Sequence, residues 1–301
     1  MQELSFTAMA SVCQIQLDIP DDQDTQGIFA QVQAEVLRIQ DKYSRYLPHS
    51  VVSHINAQAG QSPYECDAET AALIQFADRL HGQYQGVFDL TTGVLRRAWN
   101  FQSPTLPTPE AIAQLLPLVG WHQVQWDGQQ ILLPHEGMQI DLGGLGKEYA
   151  VDRVAHLLTR AGYHSALINF GGDVYATGPK CDASPWQVGI RHPRQDGLIA
   201  VIPLARGGLA TSGDYERYML VDGQRYAHLL HPATGWPVNH WQSISVLAPT
   251  CMLAGALSTT FMLLQEQATA HLKSCGLRSL CVTAQSKALA FKGNEDHGCS
   301  P

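Results

Sequence analysis

Apolar positions along the chain change period several times, and each change marks an element. Residues 5–18 alternate weakly (Phe6, Ala8, Val12, Ile15, Leu17) and predict an opening strand. Ile28, Val32, Val36, Ile39 and Tyr43 recur at helical spacing, so a helix is expected from Gly27 to Tyr46, stopped by Pro48. A second helix near Asp67–Gln85 turns Ala71, Leu73, Ile74, Ala77 and Leu80 inward. The small and polar run Gly86–Leu95 reads as a surface loop under the aromatic cover of Trp99 and Phe101. Pro104, Pro107 and Pro109 mark a linker into a short helix, Glu110–Pro117. Strands are then expected at Trp121–Trp126 and Gln130–Leu133, around an Asp127-Gly128 turn.

The middle of the chain carries the sharpest change of period. Met138, Ile140 and Leu142 alternate with Gln139 and Asp141, as in a strand, and Gly143, Gly144 and Gly146 follow. A helix then shows the apolar stripe Ala150, Val151, Val154, Leu157 and Leu158, and Gly162 stops it. Another apolar run, Ala166–Phe170, ends in Gly171-Gly172-Asp173, completing an expected strand–helix–strand unit with glycine at both strand ends. Further strands are predicted at Trp186–Ile190, Ile199–Leu204, Gly208–Ser212 and Gln242–Leu247, with a hairpin of Tyr218–Val221 and Tyr226–Leu230 around Asp222-Gly223. Met252–Leu264 is almost wholly apolar and reads as a buried helix; a last helix is expected over Gln265–Cys275. Leu280–Thr283 and Ala288–Phe291 close the pattern, before a polar tail from Gly293 that is expected to be loose.

Composition narrows the function classes. Of 301 residues, 45% are hydrophobic and only 15% charged, which favours a sizeable core over disorder. The net charge of -8 and the lack of a basic stripe argue against binding nucleic acid. No apolar run is long enough for a transmembrane segment. Met1-Gln2-Glu3-Leu4 lacks the basic and apolar regions of a secretory signal, which predicts a cytoplasmic protein as written and a periplasmic one if a leader has been removed. Seven scattered cysteines without a C-x-x-C suggest reduced thiols rather than a disulfide or zinc framework.

Candidate chemistry gathers at two places. Glycine turns opening a helix leave bare amides that attract anions, so the Gly143–Gly146 turn reads as a phosphate-facing site. Asp141 and Lys147 beside it favour that reading over a tight packing turn, although Asp141 serves equally well as a cap of the helix entry. Neither a P-loop nor a dinucleotide fingerprint is present: Asp141 and Glu148 stand where the P-loop needs Gly and Ser or Thr. The second place is Thr211–Gly235. There His228, near a strand end and before a Pro- and Gly-punctuated loop, is a candidate general base or phosphate ligand, against the commoner solvated loop histidine. His228 and His231 lack a third zinc ligand at motif spacing. Tyr46, with Ser44 and Arg45, offers a ring to a planar ligand or to the core, whereas Met9, Trp99 and Phe101 read as packing residues.

In order and wording these segments resemble the ApbE family, the FAD:protein FMN transferases. Phe6–Cys13, Tyr43–Asn56, Gly86–Leu95, Ile140–Asp152, Ala166–Gly178, Trp186–Pro193 and Thr211–Gly235 carry the likeness, and Ala248–Leu264 carries it more weakly. The resemblance implies an α+β protein, a single ApbE-like domain over 1–301, built as two closely packed α/β lobes with mixed sheets and FAD in the cleft between them. It implies transfer of FMN from FAD to a threonine of a target flavoprotein, assisted by Mg²⁺, with AMP released. Met9, Tyr46, Val87, Phe88, Asp89, Asp141, Lys147 and the backbone at Leu230 would surround the FAD. His228 would take the hydroxyl proton. The Gly144 carbonyl, Thr259 and Ser258 would meet the metal.

Four departures from the family pattern bear on the metal and the nearby loops. The family's Ala-Asp-x-x-x-Thr is Ala254-Gly255-Ala256-Leu257-Ser258-Thr259 here, without its carboxylate, and the usual His-x-x-Asp-Pro is His228-Leu229-Leu230-His231-Pro232. Glu148 replaces a glycine after Lys147, and Ala10 replaces one after Met9. Mg²⁺ prefers carboxylate oxygen, so a site without it should bind more weakly, unless Glu148 compensates. Gly255 and His231 motivate one rival reading, a non-catalytic FAD-binding paralogue acting as a carrier or regulator; the resemblance itself allows another, an FAD pyrophosphatase yielding FMN and AMP, as in some members of the family.

Overall fold

A computed structural model describes residues 1–293; the expected loose tail lies, past Gly293, outside the described residues. Helices and antiparallel sheets alternate along the chain, in keeping with the α+β expectation. Two compact units emerge, one of residues 1–39, 146–213 and 240–293, the other of 40–145 and 214–239.

The first unit is built on an eight-stranded sheet. Its spatial order is Gln2–Ala8, Ser11–Leu17, Ala166–Phe170, Asp173–Ala176, Gly207–Gly213, Trp241–Ala248, Ser279–Thr283 and Ala288–Phe291, antiparallel throughout. The single opening strand expected at 5–18 is in fact a hairpin. Ala8 pairs with Ser11, and Met9 and Ala10 turn the chain at φ of 51° and 56°. Two left-handed residues match the twist of a two-residue hairpin, but the turn lacks the Gly or Asn that signals it in a sequence.

The helices Gly146–Arg160 and Cys251–Leu263 pack on each other, and the latter lies on the strands Gly207–Gly213 and Trp241–Ala248. The apolar run predicted to be a buried helix is one, with Ala254, Ala256 and Phe261 fully enclosed. At Gly208 a Cβ would lie 2.6 Å from the Cys251 nitrogen, so helix and strand meet backbone to backbone. The last predicted helix is divided: Gln265, at φ 50°, opens a 3-10 turn to Gln267, and an α-helix follows over Ala268–Ser274.

The second unit has little sheet. It contains helices Val51–Ala57 and Ala68–Gln83, a three-stranded sheet (Tyr64–Glu65, Gln130–Leu132, Gln125–Trp126) and the hairpin Tyr218–Val221 with Gln224–Ala227. Trp121–Gln123, expected as strand, is a 3-10 turn. The stretch 86–95 is no surface loop: Leu90–Arg97 forms a 3-10 helix with Val94 and Leu95 fully buried. Burial is tolerated because the Asp89 carboxylate accepts the Thr91 N–H at 2.7 Å and the Trp121 N–H at 2.8 Å. Trp99 stacks on Phe101 at 5.6 Å between ring centroids and donates its indole N–H to the Gly235 carbonyl, the packing role expected of that pair.

The expected strand Met138–Leu142 buries Met138, Ile140 and Leu142 in alternation, yet it joins no sheet. Its partners are one side chain and, at Asp141, the Leu90 carbonyl, which accepts the Asp141 N–H at 2.9 Å. Ile140 donates its N–H to Asn56 Oδ1 at 2.7 Å and accepts from Asn56 Nδ2 at 3.0 Å, so the amide imitates a neighbouring strand. The period predicted the burial correctly but could not reveal the partners.

Candidate functional site

In the second unit the candidate residues centre on Arg45. The helix Gln26–Tyr43 ends just before it. Its guanidinium bonds Asp141 Oδ2 at 3.0 Å and the Gly93 carbonyl at 3.2 Å, and lies 5.4 Å from the centre of the Tyr46 ring. Asp141 also accepts the Gly143 N–H at 2.8 Å, closing the turn before the glycines. Tyr46 is 78% exposed, too open for a core residue. Arg45, Tyr46, Ser53, Asn56, Ala57, Gln139 and Ile140 line a pocket of about 350 Å³, suited to a planar ring with polar edges.

Phe88 and Asp89 are buried and Val87 is half-buried. Asp89 is committed to capping, while the Phe88 carbonyl meets His81 Nδ1 at 3.2 Å. Gly144 lies in the exposed turn, with the Phe88 ring beside it. Leu230 forms an isolated bridge with Pro237 and packs beside Trp99, Met219 and Val94.

The strand predicted over Tyr226–Leu230 stops at Ala227, and His228 follows, half-buried. The Arg217 carbonyl faces both the His228 N–H, at 3.0 Å, and His228 Nδ1, at 3.1 Å. A carbonyl only accepts, so Nδ1 carries the hydrogen and Nε2 is the basic nitrogen. His231 has the opposite tautomer: its Nδ1 accepts the Ala233 N–H at 3.2 Å, and burial lowers its pKa, keeping the ring neutral.

Met9, Lys147, Ser258 and Thr259 belong to the first unit. Lys147 sits in the first turn of the Gly146–Arg160 helix and bonds Asp173 Oδ2 at 2.8 Å. Burial works against the ammonium, but the Asp173 and Glu148 carboxylates outweigh it and hold its pKa above the usual value. Glu148 is the reverse case. Its side chain is buried, its Oε2 accepts no hydrogen bond, and desolvation followed by the Asp173 charge pushes its pKa up to about 8. The Glu148 side chain reaches the helix Cys251–Leu263 at Gly255, where a Cβ would lie 2.5 Å from Glu148 Cγ and 2.8 Å from Oε1. One helical turn onward, the Ser258 and Thr259 hydroxyls each lie 2.8 Å from Ser212 Oγ. Asp152, a turn beyond Glu148, caps the neighbouring helix by accepting the Cys251 and Met252 N–H groups at 2.7 and 2.8 Å. Among the described residues no group of three or more His, Cys, Asp or Glu is arranged to hold a metal.

Three polar residues here escaped the sequence reading. Asp173 was visible only as the end of a glycine turn, Asp152 as a polar position on a helix, and Ser212 as one hydroxyl in a strand. Their partners are distant in sequence, and no spacing rule connects them.

A family profile described as the ApbE family matches residues 9–280. The chain belongs to the ApbE family. Among its relatives, the FAD:protein FMN transferase of Haemophilus influenzae is 33% identical over 251 residues, covering 78% of this chain and 72% of that protein. That of Treponema pallidum is 32% identical over 269 residues, covering 82% and 74%. The crystal structure of the ApbE protein from Thermotoga maritima shares 31% identity and superposes with a TM-score of 0.87, over 96% of both chains. Flavin transferase ApbE from Vibrio cholerae gives the same TM-score at 26% identity, also over 96% of both chains. No helix among the described residues is long and apolar enough to cross a membrane.

Proposed function

We propose that this protein is an FAD:protein FMN transferase acting on a threonine of a target flavoprotein. The names of its relatives support the activity, and one observation carries the chemistry: His228, held by Nδ1–H on the Arg217 carbonyl, presents Nε2 as a base. Nε2 takes the proton of the threonine hydroxyl as its oxygen bonds the phosphorus of the FMN half. The phosphoanhydride bond then breaks, and AMP leaves with the electron pair. Lys147, fixed by Asp173, is the cation for the phosphates. The pocket beside Tyr46 and Arg45 suits a planar ring of the dinucleotide. Met9, Val87, Phe88, Asp89, Asp141 and the Leu230 backbone remain the other proposed FAD contacts, with Asp89 acting through the loop that it caps.

The donor set fits Mg²⁺. Two hydroxyls on one helix face, joined through Ser212, and a buried carboxylate oxygen without a partner are hard oxygen donors. Ser258 and Thr259 would hold the ion from their helix, with the Gly144 carbonyl carried over from the family likeness. Bound there, Mg²⁺ would neutralise phosphate charge as a Lewis acid.

The test is incubation with FAD, Mg²⁺ and a candidate flavoprotein subunit, followed by denaturing electrophoresis under ultraviolet light and assay of AMP. A fluorescent target with equimolar AMP is expected, and His228→Ala should lower the rate roughly 10²- to 10⁴-fold while FAD still binds. AMP with free FMN would instead make the protein a hydrolase, and bound FAD without AMP a carrier; either overturns the proposal.

A further inference from the structure

We infer that Glu148 is the carboxylate ligand of a divalent-cation site in the first unit, reaching from its own helix into the space that Gly255 leaves open on the neighbouring one. Three observations carry this. Glu148 is 8% exposed and its Oε2 has no hydrogen-bond partner, so that oxygen is left unsatisfied in the interior. Its neighbour Lys147 makes its ion pair with Asp173, at 2.8 Å, and acts on Glu148 through its charge without giving Oε2 a hydrogen bond. The Glu148 side chain passes where a Gly255 side chain would begin, 2.5 Å from the Cβ position, and the Ser258 and Thr259 hydroxyls stand three and four residues further along that helix, on the same face.

Glycine at 255 and glutamate at 148 are therefore one feature rather than two. The space holds one acidic side chain, and this chain supplies it from position 148. A carboxylate with hydroxyl oxygens, completed by water, is a hard site that favours Mg²⁺ or Mn²⁺ over thiophilic metals. The apparent loss of a carboxylate at Gly255 is a relocation, and it removes one of the two motives, Gly255 and His231, for reading the protein as a non-catalytic paralogue.

The inference rests on the proposed function only for the use made of the ion; the site itself is testable without FAD. Mn²⁺ alone is titrated into the purified chain and free Mn²⁺ is followed by electron paramagnetic resonance, with calorimetry for Mg²⁺. Wild type should show a single saturable site, and Glu148→Gln, nearly isosteric, should weaken it at least roughly tenfold, the low end of what losing even an outer-shell partner costs. Gly255→Asp alone should lower the melting temperature, because two side chains then compete for one space. The double variant Glu148→Gly, Gly255→Asp should regain both the melting temperature and the Mn²⁺ site. Unchanged Mn²⁺ affinity in Glu148→Gln, or a double variant no more stable than Gly255→Asp, overturns the inference. A Glu148-dependent Mn²⁺ site in a protein that never labels a target leaves the inference standing and removes the transferase reading. Labelling that needs Mg²⁺ equally in wild type and Glu148→Gln does the opposite.

Discussion

The two units employ polar side chains in opposite ways. In the first, backbone groups pair with one another across eight strands, and the buried polar side chains Glu148, Asp173 and Ser258, with the half-buried Ser212, gather where the helices meet the sheet. In the second, sheet is scarce, and side chains stand in for missing backbone partners. Asn56 pairs with Ile140 like a strand, Asp89 caps Leu90–Arg97, and Trp99 closes on Gly235. A buried polar side chain is thus scaffold in one unit and available for chemistry in the other. Burial alone does not tell the two apart; the count of backbone partners does.

That contrast can be broken or sharpened by substitution. The largest stability loss is expected for Asp89→Ala, which strands the Thr91 and Trp121 N–H groups in the interior. At about 1–3 kcal/mol per orphaned donor, about 3 kcal/mol or more should disappear from the denaturant-unfolding free energy. If Glu148→Gln costs as much in metal-free buffer, the division of labour between the units is mistaken.

A pH-dependent effect should come next, from Asp152. Burial raises its pKa from 3.8 to about 6, despite the Cys251 and Met252 N–H groups, which lower it. Between those values the folded chain binds more protons than the unfolded one, so this contribution is whole below 3.8 and is lost as pH rises through about 6. Asp152→Asn should flatten the chelator-buffer stability profile across that window, by a difference on the order of 3 kcal/mol. Parallel profiles for the two proteins would remove the assignment.

Asn56→Ala should cost about 1–3 kcal/mol, since Ile140 loses both partners. Hydrogen exchange should localise the damage, with the Ile140 amide losing protection and the amides of Ala166–Phe170 keeping theirs. The smallest effect is a gain. Ala10→Gly removes a left-handed non-glycine residue and should raise stability by roughly 1 kcal/mol, read as a shift in melting temperature. No gain there would mean that the hairpin turn carries no strain.

The same division explains what was legible in the sequence. Where backbone pairs with backbone, the hydrophobic period mostly sufficed: most strands from Ala166 to Phe291 and the helix Cys251–Leu263 lie within a residue or two of expectation, while the short strand Asp173–Ala176 was not expected and Gln224–Ala227 ends three residues early. Where side chains replace partners, the period misled. Met138–Leu142 has strand-like burial without a strand, and Leu90–Arg97 looked too polar to bury because Asp89 is caught in capping bonds. The site divides likewise. Lys147, His228 and Glu148 stood out as charged or basic groups beside glycine turns and loop punctuation. Asp173 and Ser212 acquire meaning only from partners 26 and 46 residues away, a relation that no local pattern encodes.

The contact at Gly208 has one more consequence. There the strand Gly207–Gly213 and the helix Cys251–Leu263 touch main chain to main chain, while Ser212, at the far end of the same strand, meets Ser258 and Thr259. An anchor of that kind cannot be loosened by trimming a side chain, so the helix keeps its axial position whatever becomes of the hydroxyls. Alanine at 212 or 258 should therefore behave as a clean subtraction of one oxygen, with the frame around the gap unmoved.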